Sequence, residues 1–250
     1  MLATRLEYQS WLIETSGVNI LIDPWLTRED LLVSYPWVLR RPHSKRSNPS
    51  ILHGLDIHVI LLTSHFEDHL HINSLLSLPK ETLCVGTKKA VKKIQHHGFN
   101  NCLSIQAESK TDIGAVEIKA LKSGFPYSYN SLAFLIKDKD KDKSLLLEPH
   151  VLNKSTIKHC FNLSALITTI ESVKLLGLEL SMNPYKTMTY LKNLKPDYFL
   201  PSGTAADKVE GILKRFLYFG DLNQDLEKLF KKDDIPTKIA CTQIGEKIDL

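Results

Sequence analysis

Paired cysteines are missing from this chain. Its four, Cys84, Cys102, Cys160 and Cys241, lie far apart and form no CxxC motif, which argues against a thiolate zinc site. The chain of 250 residues is long enough to bury a real core, so reduced, mostly buried thiols are expected rather than a disulfide framework. No apolar run approaches the roughly 20 residues that span a bilayer. The opening stretch Thr4-Arg5-Leu6-Glu7-Tyr8 has no apolar signal core, so a cytoplasmic protein with no membrane partner is expected. Charge of one sign is also scarce. The net charge is +4 and the basic residues fall in short runs such as Arg40-Arg41 and Lys88-Lys89, so no nucleic-acid partner is expected. There is no Pro/Gly/Ser-rich linker and no short-period repeat. One domain over residues 1–250 follows.

What the chain does have is concentrated between Ile57 and His71, which reads I-H-V-I-L-L-T-S-H-F-E-D-H-L-H. Val59 to Leu62 make a buried strand. The polarity then flips, and Ser64, His65, Glu67, Asp68, His69 and His71 crowd in behind it. Ligand sites of α/β proteins gather beyond the carboxyl ends of strands. Neutral imidazoles and carboxylates are the donor set for zinc and similar divalent ions. If His69 and His71 both sit in a helical start they diverge by about 200° and cannot share an ion; in an extended segment they can.

A second packet repeats the pattern. Leu145-Leu146-Leu147 leads into Glu148-Pro149-His150, a carboxylate and an imidazole beyond a strand end, stiffened by the proline between them.

Around these packets, residues 4–14 and 18–23 read as strands joined at Thr15-Ser16-Gly17, the second ending in Asp23-Pro24. Residues 25–56, aromatic and punctuated by Pro36, Pro42 and Pro49, read as a long loop, either a lid or a surface excursion. Short helices are expected at 72–78 and 87–96, the second basic and capped by Gly98. Strands are expected at 82–85, 102–105, 113–121, 131–137 and 144–148, with the alternating charges of Lys137 to Lys143 as a solvated hairpin turn. Residues 151–160 read as helical, 164–170 and 197–200 as strands, and 182–193, 205–217 and 222–231 as helices. The last strands fall within 237–248. His96 and His97 read as a solvated helix end; His43, His53, His58 and His159 have no grouped partners.

The strand ending in Asp23-Pro24, the strand I-L-L-T and the turn with Asp68-His69 together resemble the metallo-β-lactamase fold. The resemblance covers most of the chain in element order. It implies a four-layer αββα sandwich of two mixed sheets flanked by helices, with a one- or two-metal hydrolase site at the edge between the sheets. That superfamily follows this strand with H-x-H-x-D-H. Asp68 and His69 fall on its D-H pair, while its two earlier histidines fall on Ser64 and Phe66, with His65 between them. Glu148 or His150 takes the place of the family's metal-bridging aspartate. No histidine stands at Lys122-Ser123-Gly124-Phe125 or Pro201-Ser202-Gly203-Thr204, where the family supplies two more. Asp68-His69-Leu70-His71 and Glu148-Pro149-His150 look like those of a divergent plant and cyanobacterial branch.

The resemblance implies a metal-dependent hydrolase with a reduced, one-metal site. Its ligands are drawn from Asp68, His69, His71, Glu148 and His150, and Asp68 or Glu148 serves as general base. Zinc is the first expectation for the ion, with manganese or iron as others. The partner is a small-molecule substrate whose ester, amide, lactone or phosphoester is cleaved. The alternative is a metal-free, non-catalytic member of the same fold that binds a small molecule or protein.

Overall fold

The computed structural model describes residues 1–27, 30–33, 35–41, 49–203, 209–220, 226–232 and 235–250. Two mixed seven-stranded sheets dominate it. The first sheet runs Lys247–Asp249, Leu2–Arg5, Trp11–Thr15, Val18–Ile22, Val59–Leu62, Leu83–Gly86, Cys102–Ser104. It is antiparallel up to Val18–Ile22 and parallel beyond. The second runs Lys238–Ile239, Tyr198–Ser202, Ala165–Thr169, Lys143–Glu148, Leu132–Asp138, Val116–Lys122, Lys110–Ile113.

Period-two patterning explains the layers. Val59 and Leu61 point into a core between the sheets, where Ile20, Ile22, Phe134, Ile136, Leu145, Leu147 and Ile167 meet them. Their neighbours Ile60 and Leu62 point outward, under Leu75, Ala90 and Ile94 of the helices Ile72–Leu76 and Lys88–Gln95. On the other flank Leu135, Leu146 and Leu166 pack under Met188 and Leu191 of the helix Pro184–Leu194. The central strands are thus apolar on both faces, as strands covered on both sides must be. The result is the αββα sandwich expected from the sequence.

Several elements depart from the sequence reading. Residues 4–14 are two strands, because Leu6 and Glu7 donate backbone hydrogen bonds to Ser10 in a tight turn. The 113–121 segment is broken by Gly114, whose positive φ of 57° turns the chain into a hairpin. Residues 151–160 hold only a short 3-10 turn, Thr156–His159. In the 25–56 stretch Leu31–Val33 pairs with Leu39–Arg41, and a 3-10 turn follows at Pro49–Leu52; Pro42, His43 and Asn48 lie outside the described residues. The helix expected at 205–217 gives way to a 3-10 turn, Ile212–Phe216, and a strand, Leu217–Phe219. Gly211, at φ 106°, precedes that turn in a conformation no helix uses. Residues 204–208, and 221–225 ahead of the helix Leu226–Lys232, lie outside the described residues.

Among the described residues no helix is long and apolar enough to cross a membrane.

Candidate metal centre

The two sheets meet where their central strands end. Leu132 N–H donates to Thr63 C=O at 2.9 Å, which ties the end of Val59–Leu62 to the second sheet. Nearby, Trp11 Nε1 donates to Ser202 Oγ at 3.2 Å, and Ser202 Oγ donates to Gln9 Oε1 at 2.6 Å. The packets singled out in the sequence lie at this seam.

The first packet is organised by Asp23. Its backbone, at φ 42°, turns its carboxylate back over the strand ends. Thr63 N–H donates to Asp23 Oδ1 at 2.8 Å and the Thr63 hydroxyl donates to Oδ2. His69 Nδ1 lies 2.7 Å from the same Oδ2. That contact fixes the ring, with Nδ1 as donor and Nε2 turned the other way. Nε2 lies 3.2 Å from Asp68 Oδ2 without the alignment of a hydrogen bond.

The second packet brings His150 against His69, ring centroids 4.4 Å apart. Asp68, His69 and His150 each offer a ligand atom, and these atoms all lie within 4.8 Å of one another. Glu148 is wholly buried beside them. Its Oε1 accepts from His150 N–H at 2.9 Å and lies 3.7 Å from His150 Nδ1. His69 Nε2, His150 Nδ1 and Glu148 Oε2 are all buried without a hydrogen-bond partner.

The electrostatics follow from this crowding. Burial works against charge on His69, but the Asp68 and Asp23 carboxylates outweigh it and raise the imidazole to about 10. Burial likewise opposes charge on Asp68, yet the His69 charge holds that carboxyl well below the usual carboxylate range. His150 moves the other way: burial, then the His69 charge, pull its imidazole below the ordinary value. His69 thus sits between the Asp68 and Asp23 carboxylates in one charge system, to which His150 is coupled.

Other sequence-predicted residues go elsewhere. His71 caps the helix Ile72–Leu76: its Nδ1 lies 2.8 Å from Ser74 Oγ and accepts from Ser74 N–H at 3.3 Å. Its ring stacks on Trp25, centroids 5.1 Å apart. The structure therefore does not bring His71 into the Asp68, His69, His150 group. His65 tilts against Phe66, ring centroids 4.6 Å apart, and is not in the Asp68, His69, His150 group. Phe66, where the resemblance puts a histidine, sits edge-on to His150 at 6.4 Å. Tyr127 stacks on His150 at 3.9 Å, and burial, with the Asp68 charge behind it, pushes its phenol up so that it stays protonated.

Asp23 and Tyr127 are the residues the sequence reading passed over. Asp23 carried a signal, an acid at the end of a buried strand like Glu148, but its partner lies 46 residues away. Tyr127 sits in the turn between the strands Val116–Lys122 and Leu132–Asp138 and carried none.

A family model, the beta-lactamase superfamily domain, matches residues 3–202. The chain belongs to this superfamily. Among solved structures it is similar to the isothiocyanate hydrolase from Delia radicum gut bacteria, at 17% identity and a TM-score of 0.78, over 100% of this chain and 99% of that one. A possible metal-dependent hydrolase from Veillonella parvula matches at 14% identity and a TM-score of 0.79, again over 100% and 99%. CmlA, a diiron β-hydroxylase from Streptomyces venezuelae, matches at 14% identity and a TM-score of 0.69, over 100% of this chain and 53% of that one. These likenesses show a shared fold. No curated protein sequence matches the chain.

Proposed function

We propose that the chain is a metal-dependent hydrolase that holds one divalent ion through Asp68, His69 and His150 and cleaves an ester, amide, lactone or phosphoester of a small molecule. The observation that carries this reading is the set of buried, partnerless atoms at the meeting point, His69 Nε2 and His150 Nδ1 with Glu148 Oε2 beside them. Leaving such a group unsatisfied costs about 1–3 kcal/mol, a cost that a bound cation removes. Three protein ligands plus water are the usual complement of catalytic zinc, and the nitrogen and oxygen donors suit zinc first, then manganese or iron.

A divalent ion at such a site supplies Lewis acidity and acidifies water. The chain's own groups do the rest. Asp23 holds His69 in the tautomer that presents Nε2. Glu148, with one oxygen uncommitted, accepts the proton of the attacking water; Asp68 is the alternative acceptor. The protonated Tyr127 closes one side of His150 and excludes solvent there. We also read the whole chain as one domain acting in the cytoplasm, consistent with its four free cysteines.

One observation favours the second reading, a metal-free binding module: Phe66 packs an aromatic ring against His150 where the family places a histidine. The two readings separate in one experiment. Chelator-treated protein is reloaded with zinc or manganese and assayed against p-nitrophenyl acetate, a β-lactam, a lactone and bis(p-nitrophenyl) phosphate. Metal-dependent turnover of any one supports the hydrolase. A folded protein that takes up no metal and turns over none leaves the binding module.

A further inference from the structure

The helix Lys88–Gln95 sorts its side chains by period. Thr87 caps it, accepting from Ala90 N–H, and Ala90, Val91 and Ile94 are buried against the first sheet. Lys89, Lys92 and Lys93, with His96 just past the end, recur at the three- and four-residue steps that fall on one face. In the folded chain these four, with His97 and His65, line an open cavity of about 390 Å³. Every residue lining it is basic. Cations gathered in a concavity repel one another and focus a positive potential, so the arrangement favours an anion more than a convex, solvated helix face would.

His65 connects this cavity to the candidate metal centre. It leaves the same strand end as Asp68 and His69, and its Nδ1 is buried without a hydrogen-bond partner. Its ring lies 4.6 Å from that of Phe66, which lies 6.4 Å from His150. A second link runs through Lys89, whose Nζ donates to Asn130 Oδ1 at 2.8 Å. Asn130 N–H donates to Tyr127 C=O, in the turn whose tyrosine ring stacks on His150. Burial, followed by the Lys89 charge, lowers the His65 imidazole from its ordinary value, so the ring is neutral near pH 7 and the positive charge comes from the lysines.

We infer that this cavity is a phosphate-binding site, and that it takes the phosphate group of a small phosphorylated substrate whose scissile bond lies at Asp68, His69 and His150. The second half of that statement rests on the hydrolase reading; the first does not. Lys89, Lys92 and Lys93 put three ammonium groups on the helix face beside the cavity, and lysine binds phosphate as a point charge. A polynucleotide fits less well, since a cavity of about 390 Å³ is small for a run of nucleotides.

The test uses the full chain, treated with chelator so that no metal contributes. Histidine-ring NMR signals are followed during titration with inorganic phosphate at constant ionic strength. The expected result is a saturable shift of His65, His96 and His97, with His150 unmoved. The Lys92→Gln/Lys93→Gln variant, checked by its circular dichroism melt, weakens binding about tenfold or more, as loss of two nearby charges requires. Equal shifts from chloride, no saturation, unchanged affinity in the folded variant, or response only to a single-stranded oligonucleotide would overturn the inference. If the metal reading fails, this binding is unaffected; if phosphate does not bind, metal uptake still stands.

Discussion

The two arms of the candidate centre are built on opposite terms. The arm from the first sheet, Asp23, Thr63 and His69, is closed except at His69 Nε2: Thr63 donates twice to Asp23, and His69 Nδ1 meets the same carboxylate. The arm from the second sheet, Glu148 and His150, is open, with Glu148 Oε2 and His150 Nδ1 buried and partnerless. The closed arm holds its shape without help. The open arm leaves those two atoms without a hydrogen bond from the chain. Cuts in the closed arm should therefore cost stability as well as metal, while cuts in the open arm should cost metal with little loss of stability.

Substituting His69→Ala cuts the closed arm and has the largest effect. It strips the buried Asp23 carboxylate of its cation, and breaking such a pair costs about 3–5 kcal/mol. Urea unfolding of the chelated variant should show this, together with loss of metal uptake. Asp23→Asn keeps the shape but releases His69 from its tautomer, and metal affinity should fall about 10–100-fold by calorimetry.

The same arm sets the pH dependence. In the metal-free protein His69 is raised to about 10 from its ordinary 6.5. A raised imidazole contributes stability that is fully present below the unfolded value and is lost as pH climbs through the folded one. The chelated protein should therefore lose stability between roughly pH 6.5 and 10, while metal affinity rises over that window because the ion displaces the proton on Nε2. Affinity that falls with pH would break the assignment of His69 as a ligand.

Glu148→Gln probes the open arm. Stability of the chelated protein should stay within about 1 kcal/mol of wild type or rise, since a half-satisfied buried carboxylate is removed, while turnover is lost. Destabilisation comparable to His69→Ala would erase the distinction between the arms. The smallest effect is expected from His71→Ala. It removes a helix cap at a cost of about 1 kcal/mol and leaves metal stoichiometry unchanged.

These differences also explain what could be read in the sequence. Strand ends were legible because apolar runs such as Val59 to Leu62 stop abruptly at polar packets. Asp68, His69, Glu148 and His150 were picked out for that reason, and the fold brings them to one seam. His71 was grouped with them because spacing alone does not tell a ligand from a cap; only Ser74 and Trp25, its partners in space, do so. Asp23 showed its chemistry but not its partner, since the contact with His69 joins the segments that follow two different strands of the first sheet. The expected helix at 205–217 overlooked Gly211, whose backbone conformation precludes it. The basic face of Lys88–Gln95 was plain from its period, but its concavity with His65 depends on packing that no local pattern encodes.

The most direct test of the metal centre is elemental analysis of zinc-reloaded wild type beside His150→Ala. The account predicts about one ion per chain in the wild type and essentially none in the variant, with circular dichroism showing the variant still folded, because the open arm does not hold the fold together. A wild type that binds no zinc, or a variant that keeps its full complement, would contradict it.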